Sequence, residues 1–577
     1  MRAGAVSGRR RGGTAAGLFG ASLLVAATVL GAGGAFALPS APPSGSASPG
    51  GPGTGGTRGD QDESNGRRGG DRENRGDKGD RGDRGDHGEE SGRPGSPGSG
   101  SARPTTTPPS TAASAPTSPS PSASASASAS ASSSASASGS ASAKPSAVAR
   151  PAPAGAVLAA AEAGPGAGLP TAQGLQQALA TVLTDQNLGT VGLAVADAAD
   201  GQLLYGKGEN AAATPASTTK LATSVAALSL IPGDTRLATR VVKNAATGGI
   251  TLVGGGDPTL TALPADQVQV AGVPADPDTA PASLDALARQ TAAALKAAGT
   301  TTVALDYDVT LYTGPLLHKN HDAENIAAVT PLMVDEGKVD PKSLADAPAR
   351  VTDPAGAAAE SFANLLKAQG VTVQGKAKAA TAPAAADAPV LGRVDSPTMA
   401  RLVERMLTTS DNTLAEAIAR QAAIAAHQPA AFEGAATAVT QELTRLGVPM
   451  TGVVLNDGSG LHPGNAIPPA VLVKLLALAA SAQHPTLRPV LTGLPIAGFT
   501  GTLGKRFGAG SGAADAAGLV RAKTGSLSGV NTLAGTVVDA DGRQLAFALM
   551  TRTGAPVDTA RAAMDRVVAR LAACGCR

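Results

Sequence analysis

Apolar and polar positions change rhythm several times along the 577 residues. An apolar run over 15–30 follows Arg9-Arg10-Arg11 and precedes Ala35-Phe36-Ala37. A basic start, a short apolar core and a small-x-small end are the parts of an export signal, so 1–37 is read as a signal peptide. A membrane anchor is the alternative, since a run of about 16 apolar residues is borderline for spanning. Gly12 and Gly13 stand where a twin-arginine signal wants apolar residues. Over 38–165 no apolar period survives: Gly, Pro and Ser come first, then mixed charge over 58–90, then a Ser/Ala/Pro/Thr tract. Such sequence buries too little apolar surface to offset chain entropy and reads as a disordered tether. Gly76, Gly79, Gly82, Gly85 and Gly88 recur every third residue, but the run is short and proline-free, which argues against a triple helix. Triplets such as Arg81-Gly82-Asp83 read as a solvated polyampholyte repeat rather than an adhesion motif.

Folded patterning begins near Thr171, where Leu175, Leu179, Val182 and Leu183 recur at helical spacing. Alternation over 191–196 predicts a strand, the turn 197–201 leads to a second at 202–205, and an alanine-rich helix starts near 216. Residues 234–389 have their own pattern: a hairpin around 244–249, a helix over 284–298 and a strand over 301–307. A second helix-Gly-strand unit over 365–373 echoes the one over 295–303, so this stretch is expected to hold one or two inserted α/β modules. Helices dominate after 396, strands follow over 519–523, 531–538 and 544–550, and a helix over 557–572 closes the chain. An α/β (α+β) fold is predicted, with a main domain from 166–233 and 390–577 whose sheet is assembled from distant sequence.

Composition narrows the functions. With 42 % hydrophobic residues, 16 % charged and a net charge of +2, nothing favours nucleic acid or an anionic surface as a partner. Aromatic residues are 2 % with no Trp, too few for a base-stacking platform. The two cysteines, Cys574 and Cys576, exclude a disulfide framework, a thiolate zinc site and an iron-sulfur site, and are read as incidental or locally paired. No zinc motif, phosphate loop or dinucleotide fingerprint occurs, so no metal or cofactor is expected.

Ser217-Thr218-Thr219-Lys220 sits at a predicted helix start, which puts serine and lysine on one face about one turn apart. Alone this is an ordinary cap followed by a solvated lysine. Ser410-Asp411-Asn412 lies between the amphipathic stretch 399–407 and a helix from about 413; alone it is an N-cap. Lys523-Thr524-Gly525 ends a predicted strand, where Gly lets a ligand approach the backbone; alone it is a strand-end turn. His87, His318, His321, His427, His462 and His484 all lie outside these elements.

In this order the three elements resemble the signature trio of penicillin-binding proteins and serine β-lactamases. Gly254-Gly255-Gly256-Asp257-Pro258, Asp457-Gly458-Ser459-Gly460-Leu461, Gly501-Thr502-Leu503 and the long insertion are similar to the class C low-molecular-mass group, peptidase family S13. The resemblance runs from about Thr171 to the C-terminus. It implies a penicillin-binding-protein fold, an antiparallel sheet flanked by helices with 234–389 inserted. It implies an exported serine-type D-Ala-D-Ala carboxypeptidase acting on peptidoglycan stem peptides outside the cell membrane, with β-lactams as inhibitors. Ser217 is then the nucleophile, and Lys220 or Lys523 the base, which the sequence leaves open. Ser410 relays the proton to the leaving amine, and Asn412 holds the peptide amide and Lys220. Lys523 and Thr524 bind the terminal carboxylate beside Gly525, and the Ser217 and Ser526 N–H groups form the oxyanion hole.

Three alternatives share these residues. A serine β-lactamase would need a deacylating carboxylate in a Glu-x-x-Leu-Asn context, which Glu416, Glu433 and Glu442 lack. A non-catalytic wall-binding protein would have no need of all three elements, and an endopeptidase would use the same chemistry.

Overall fold

The structure, a computed structural model, describes residues 168–577; the expectations for 1–37 and 38–165, with their glycine and Arg-Gly-Asp repeats, lie outside the described residues. The first helix, α1 (Ala172–Leu179), starts where Thr171 Oγ1 accepts the Gly174 N–H at 3.0 Å, and buries Leu175 and Leu179 along one face. Strands β1 (Thr190–Asp197) and β2 (Leu203–Lys207) form the expected hairpin. A 3₁₀ turn at Ala216–Thr218 then leads into α2 (Thr219–Leu230), buried along most of its length.

The inserted segment follows. It runs through β3 (Arg236–Lys243), β4 (Ile250–Val253), the small hairpin β5 (Gln269–Val270) and β6 (Val273–Pro274), and α3 (Leu284–Ala297). It continues through β7 (Thr302–Val303), β8 (Leu305–Asp308), α4 (Pro354–Ala368), β9 (Thr372–Val373), β10 (Lys378–Ala379) and β11 (Val390–Thr398). Helices α5 (Met399–Thr409), α6 (Asn412–Ala425), α7 (Phe432–Arg445), α8 (Pro469–Ala480) and α9 (Pro489–Thr492) lead to β12 (Val520–Leu527), β13 (Val530–Val538), β14 (Gln544–Arg552) and α10 (Val557–Ala572).

One sheet has the order β12-β13-β14-β1-β2, every neighbour antiparallel, so the two ends of the folded sequence meet at β14 and β1. Strand alternation sorts the side chains of β1 and β14 between two cores. Leu193, Val195, Leu545, Phe547 and Leu549 pack with Leu175 of α1 and Val567 and Leu571 of α10. Ala194, Ala196, Ala546 and Ala548 face α2 and α8, packing with Leu221, Val225, Leu472 and Leu475. Each large buried side chain contributes roughly 1.5–3 kcal/mol, and the alanines let the helical layer come close to the strands.

The second five-stranded sheet has the order β10-β8-β4-β3-β11, parallel across β10, β8 and β4 and antiparallel beyond. Its core unites Val241, Ile250, Leu252, Leu287, Leu295, Phe362 and Leu366. It takes in Val390–Thr398, past the inserted segment's expected end at 389, because β11 pairs with β3. The strand expected over 301–307 breaks into β7 and β8, which join different sheets. The two echoing units pair with one another: β7 and β9 run parallel with Thr302 opposite Thr372 and Val303 opposite Val373. Each follows a helix ended by a glycine at positive φ, Gly299 at 70° and Gly370 at 76°.

Cys574 and Cys576 pair with each other, their Cα atoms 5.0 Å apart.

Candidate active site

Ser217 lies in the 3₁₀ turn that precedes α2, held there as Thr218 Oγ1 donates to Pro215 O at 2.7 Å. The residue before it, Ala216, takes φ 48°, a left-handed backbone that is rare outside glycine. One helical turn on, Lys220 Nζ lies 3.0 Å from Ser217 Oγ, 2.7 Å from Asn412 Oδ1 and 2.8 Å from Ser459 O. Lys220 is fully buried, and that burial lowers its pKa to about 8 although the charges of Asp457, Glu416 and Asp411 pull it up.

Ser410 ends α5, again in left-handed backbone, at φ 63°. Asp411 begins α6, its carboxylate accepting the Leu414 N–H at 2.8 Å and Arg350 Nη2 at 2.7 Å. Burial raises its pKa, but the Arg350 and Lys338 charges and these hydrogen bonds overcome that and hold it at about 2. The Asn412 side chain donates through Nδ2 to Asn325 O at 3.0 Å, which turns its Oδ1 toward Lys220.

Lys523, Thr524 and Gly525 do not end the strand, as the sequence suggested. β12 continues to Leu527, with Gly525 opposite Thr532 and Ser526 opposite Asn531. It is an edge strand packed against the Ala216–Thr218 turn, and Gly525 makes that approach possible. A Cβ there would stand 2.8 Å from Pro215 O and 2.9 Å from Ser217 N. Lys523 Nζ donates to Ser410 Oγ at 2.7 Å and Thr524 O at 2.8 Å. Burial and then the charge of Lys220 push its pKa well below the ordinary lysine value. Thr524 Oγ1 donates to Thr502 Oγ1 at 2.8 Å, and Ser526 Oγ accepts from Arg561 Nη2 at 3.2 Å. The structure therefore brings Ser217, Lys220, Ser410, Asn412, Lys523, Thr524, Gly525 and Ser526 together. A cavity of about 190 Å³ opens among Ser217, Ser410, Asn412, Thr524, Ser526 and Arg561.

A support layer behind Lys220 escaped the sequence reading. Glu416 accepts the Gly458 and Ser459 N–H groups, and Asp457 accepts from Gly460 N, His462 N and Asn465 Nδ2. These bonds fix the loop whose Ser459 carbonyl meets Lys220. His318 Nε2 lies 2.9 Å from Asp457 Oδ2, and the Asn320 N–H donates to its Nδ1, so Nε2 is the ring donor. The buried carboxylates diverge. Burial and the neighbouring Asp457 raise the pKa of Glu416, while His318, Asn465 and two backbone donors hold Asp457 low against its own burial. His318, Glu416 and Asp457 are the one group of three metal-ligating side chains converging among the described residues, within 4.8 Å, but these hydrogen bonds already engage them. Only Asp457-Gly458-Ser459-Gly460-Leu461 gave a signal in the sequence. Arg350, Asn325 and His318 lie in the inserted segment, far from the motifs they touch.

The profile of the D-Ala-D-Ala carboxypeptidase 3 (S13) family matches residues 175–349 and 344–571. Carboxypeptidase Rv3627c of Mycobacterium tuberculosis is 34 % identical over 420 residues, which cover 71 % of this chain and 86 % of that protein. The D-alanyl-D-alanine carboxypeptidase of Actinomadura sp. strain R39 is 30 % identical over 462 residues, 69 % of this chain and 84 % of that one. The crystal structure of penicillin binding protein 4 from Haemophilus influenzae superposes with a TM-score of 0.53 at 19 % identity. It covers 68 % of this chain and 98 % of that one, so the fold matches the expected architecture. A second structure of that protein, at 19 % identity and a TM-score of 0.50, is complexed with a β-lactam.

Proposed function

The chain belongs to the S13 family of D-Ala-D-Ala carboxypeptidases, and from that premise we propose that it removes the terminal D-Ala of peptidoglycan stem peptides through an acyl-enzyme on Ser217. The observation that carries this is the set of partners around Lys220 Nζ: one hydroxyl and two carbonyl oxygens. A neutral amine has two N–H donors and one lone pair. Given to Asn412 Oδ1 and Ser459 O, the donors leave the lone pair for the proton of Ser217, while the ammonium can donate to all three oxygens, so the same partners serve Lys220 before and after it takes the proton. This supports Lys220 as the base over Lys523, which donates to Ser410 and Thr524 instead.

In the proposed sequence the Ser217 proton passes to Lys220 as Oγ bonds to the carbonyl carbon of the penultimate D-Ala. The oxyanion faces the Ser217 and Ser526 N–H groups, each contributing about 3 to 4 kcal/mol to lowering the barrier. Collapse breaks the C–N bond, and the departing amine takes the proton held by Lys220, relayed through Ser410. Water then attacks the ester carbon and gives a proton to the free Lys220 amine, which passes it to Oγ as the C–Oγ bond breaks and the shortened peptide leaves as its acid. Lys523 and Thr524 line the side of the cleft that receives the terminal carboxylate.

β-Lactams present a strained amide to the same serine and are expected to acylate it. The test is mass spectrometry of a 171–577 fragment, which spans both sheets with their packed cores, after exposure to benzylpenicillin, with Ser217→Ala as control. A stoichiometric adduct that maps to Ser217 and is missing from the mutant is expected; folded protein without an adduct would sink the proposal. Export belongs to the same reading and rests on Arg9-Arg10-Arg11, the apolar run and Ala35-Phe36-Ala37. Amino-terminal sequencing of protein recovered outside the cell membrane checks it: a start near Leu38 means cleavage, a start at Met1 an uncleaved anchor.

A further inference from the structure

The proposed reaction brings a carboxylate into a cleft with four cationic side chains and one acidic one, Asp346, and the surroundings of the cations differ. Lys220 faces the nucleophile. Lys523 is fully buried beside it; burial and the charge of Lys220 oppose a charge on it, and the charge of Asp346 offsets them only in part. Its Nζ is also already engaged, donating to Ser410 Oγ and Thr524 O. Arg506 is committed to Asp565, which it meets at 2.5 Å and 3.2 Å, and its Nη2 also donates to Arg561 O. Arg561 is different. It projects from the second turn of α10 into the catalytic cavity beside Thr524 and Ser526. Its acidic partner is Asp558 at 3.6 Å, a side chain 96 % exposed and therefore weakly held. The guanidinium is charged at every working pH, and its planar fork matches a carboxylate's two oxygens. Its bond into the cavity, from Nη2 to Ser526 Oγ, points it along the edge of β12, on the side of the cleft where Thr524 has its hydroxyl.

We propose that Arg561 is the standing cation that receives the substrate's terminal carboxylate, with the Thr524 and Ser526 hydroxyls beside it, and that it selects peptides ending in a free acid. This deepens the acyl-enzyme reading and rests on it. Arg561 is a specificity residue; it takes no part in the proton transfers at Ser217. Sequence reading passed over it because it lies 38 positions after Lys523, outside all three motif elements.

The experiment compares an acylated dipeptide ending in D-Ala-D-Ala as the free acid with its C-terminal amide, on wild type, Arg561→Ala and Arg561→Lys. Wild type is expected to prefer the acid. In Arg561→Ala, kcat/KM for the acid should fall about 10- to 100-fold, the range of a lost charge-assisted hydrogen bond, mainly through KM, so that the acid-to-amide ratio collapses. Arg561→Lys should recover part of the ratio, because it restores the charge without the fork. An acid-to-amide ratio unchanged in Arg561→Ala would overturn the proposal, whether or not overall turnover drops, since a general loss of structure lowers both substrates alike. Wild type inert on both peptides, with no penicillin adduct on Ser217, would overturn the underlying reading and this inference with it. An intact adduct with an unchanged ratio overturns the inference alone.

Discussion

The all-antiparallel sheet, with helices on both faces, and the mixed sheet of the inserted segment are the same width, five strands each. Their contributions to the cleft differ in kind. Ser217, Lys220, Lys523, Thr524 and Ser526 come from the antiparallel sheet and the α2 turn packed on its edge, while Ser410 and Asn412 come from the α5–α6 junction. The inserted segment supplies supports: the Asn325 carbonyl to Asn412, the Ala327 N–H to Thr413 Oγ1 at 3.1 Å, the Arg350 guanidinium to Asp411 and the His318 ring to Asp457. The groups proposed to react thus come from one region, while their props are shared: Glu416 and Asp457 belong to that same region, and Asn325, Arg350 and His318 to the inserted segment. Chemistry and stability should therefore separate by region when each is perturbed.

Four perturbations test that separation. The largest effect is expected from Lys220→Arg, which keeps the charge but cannot accept a proton; acylation of Ser217 should slow by about 100- to 10,000-fold, read by the rate of penicillin adduct formation. Near-normal acylation would move the base elsewhere. Arg350→Met strands the buried Asp411 carboxylate, and the expected cost is about 3–5 kcal/mol of stability in denaturant titration, with the surviving folded protein still forming the adduct. Loss of acylation without loss of stability would break the division. Asp411 adds a pH signature. Its folded pKa of about 2 lies below the unfolded value of 3.8, so its stabilisation is present above 3.8 and is lost as pH falls toward 2 in wild type but not in the variant.

The third perturbation is pH itself. With Lys220 at about 8, the acylation rate should climb as pH rises and level off above 8, dropping about tenfold per unit below it. Its folded pKa is depressed from 10.5, so the unfolded chain binds more protons between about 8 and 10.5, and the Lys220 contribution to stability also rises with pH across that window. A rate independent of pH from 6 to 9 would contradict the assignment. The smallest effect belongs to Thr502→Val, which removes the partner of Thr524 Oγ1 and should raise KM a few-fold, about 1 kcal/mol, with kcat nearly constant.

The residues proposed to carry the chemistry could be singled out because each sits in a short local pattern, and the elements were legible where one periodicity governs: the closing helix spans 557–572 as the spacing predicts. β11 was not, since its sequence, Val390 to Thr398, is polar at its centre and has Pro397 near its end, and only pairing with β3 makes it a strand. β12 was read too short because Gly525, a usual strand terminator, is placed there by the crowding of Ser217 and Pro215. The supports were invisible for a different reason. Arg350 and Asp411 are 61 positions apart and Asn325 and Asn412 are 87 apart, and an isolated Arg or Asn in a loop carries no local sign of what it will meet.

Ala216 and Ser410 are both in left-handed backbone at the cleft, one next to Ser217 and one bonded to Lys523. Such a conformation costs of order 1–3 kcal/mol for a residue with a side chain. A chain selected for durability alone would place glycine at both positions and so relax them. That the side chains stand there anyway means the most heat-resistant version of this protein and the most active one are different sequences, and that a screen for thermal tolerance would drift away from the hydroxyl at 410 unless turnover were selected alongside it.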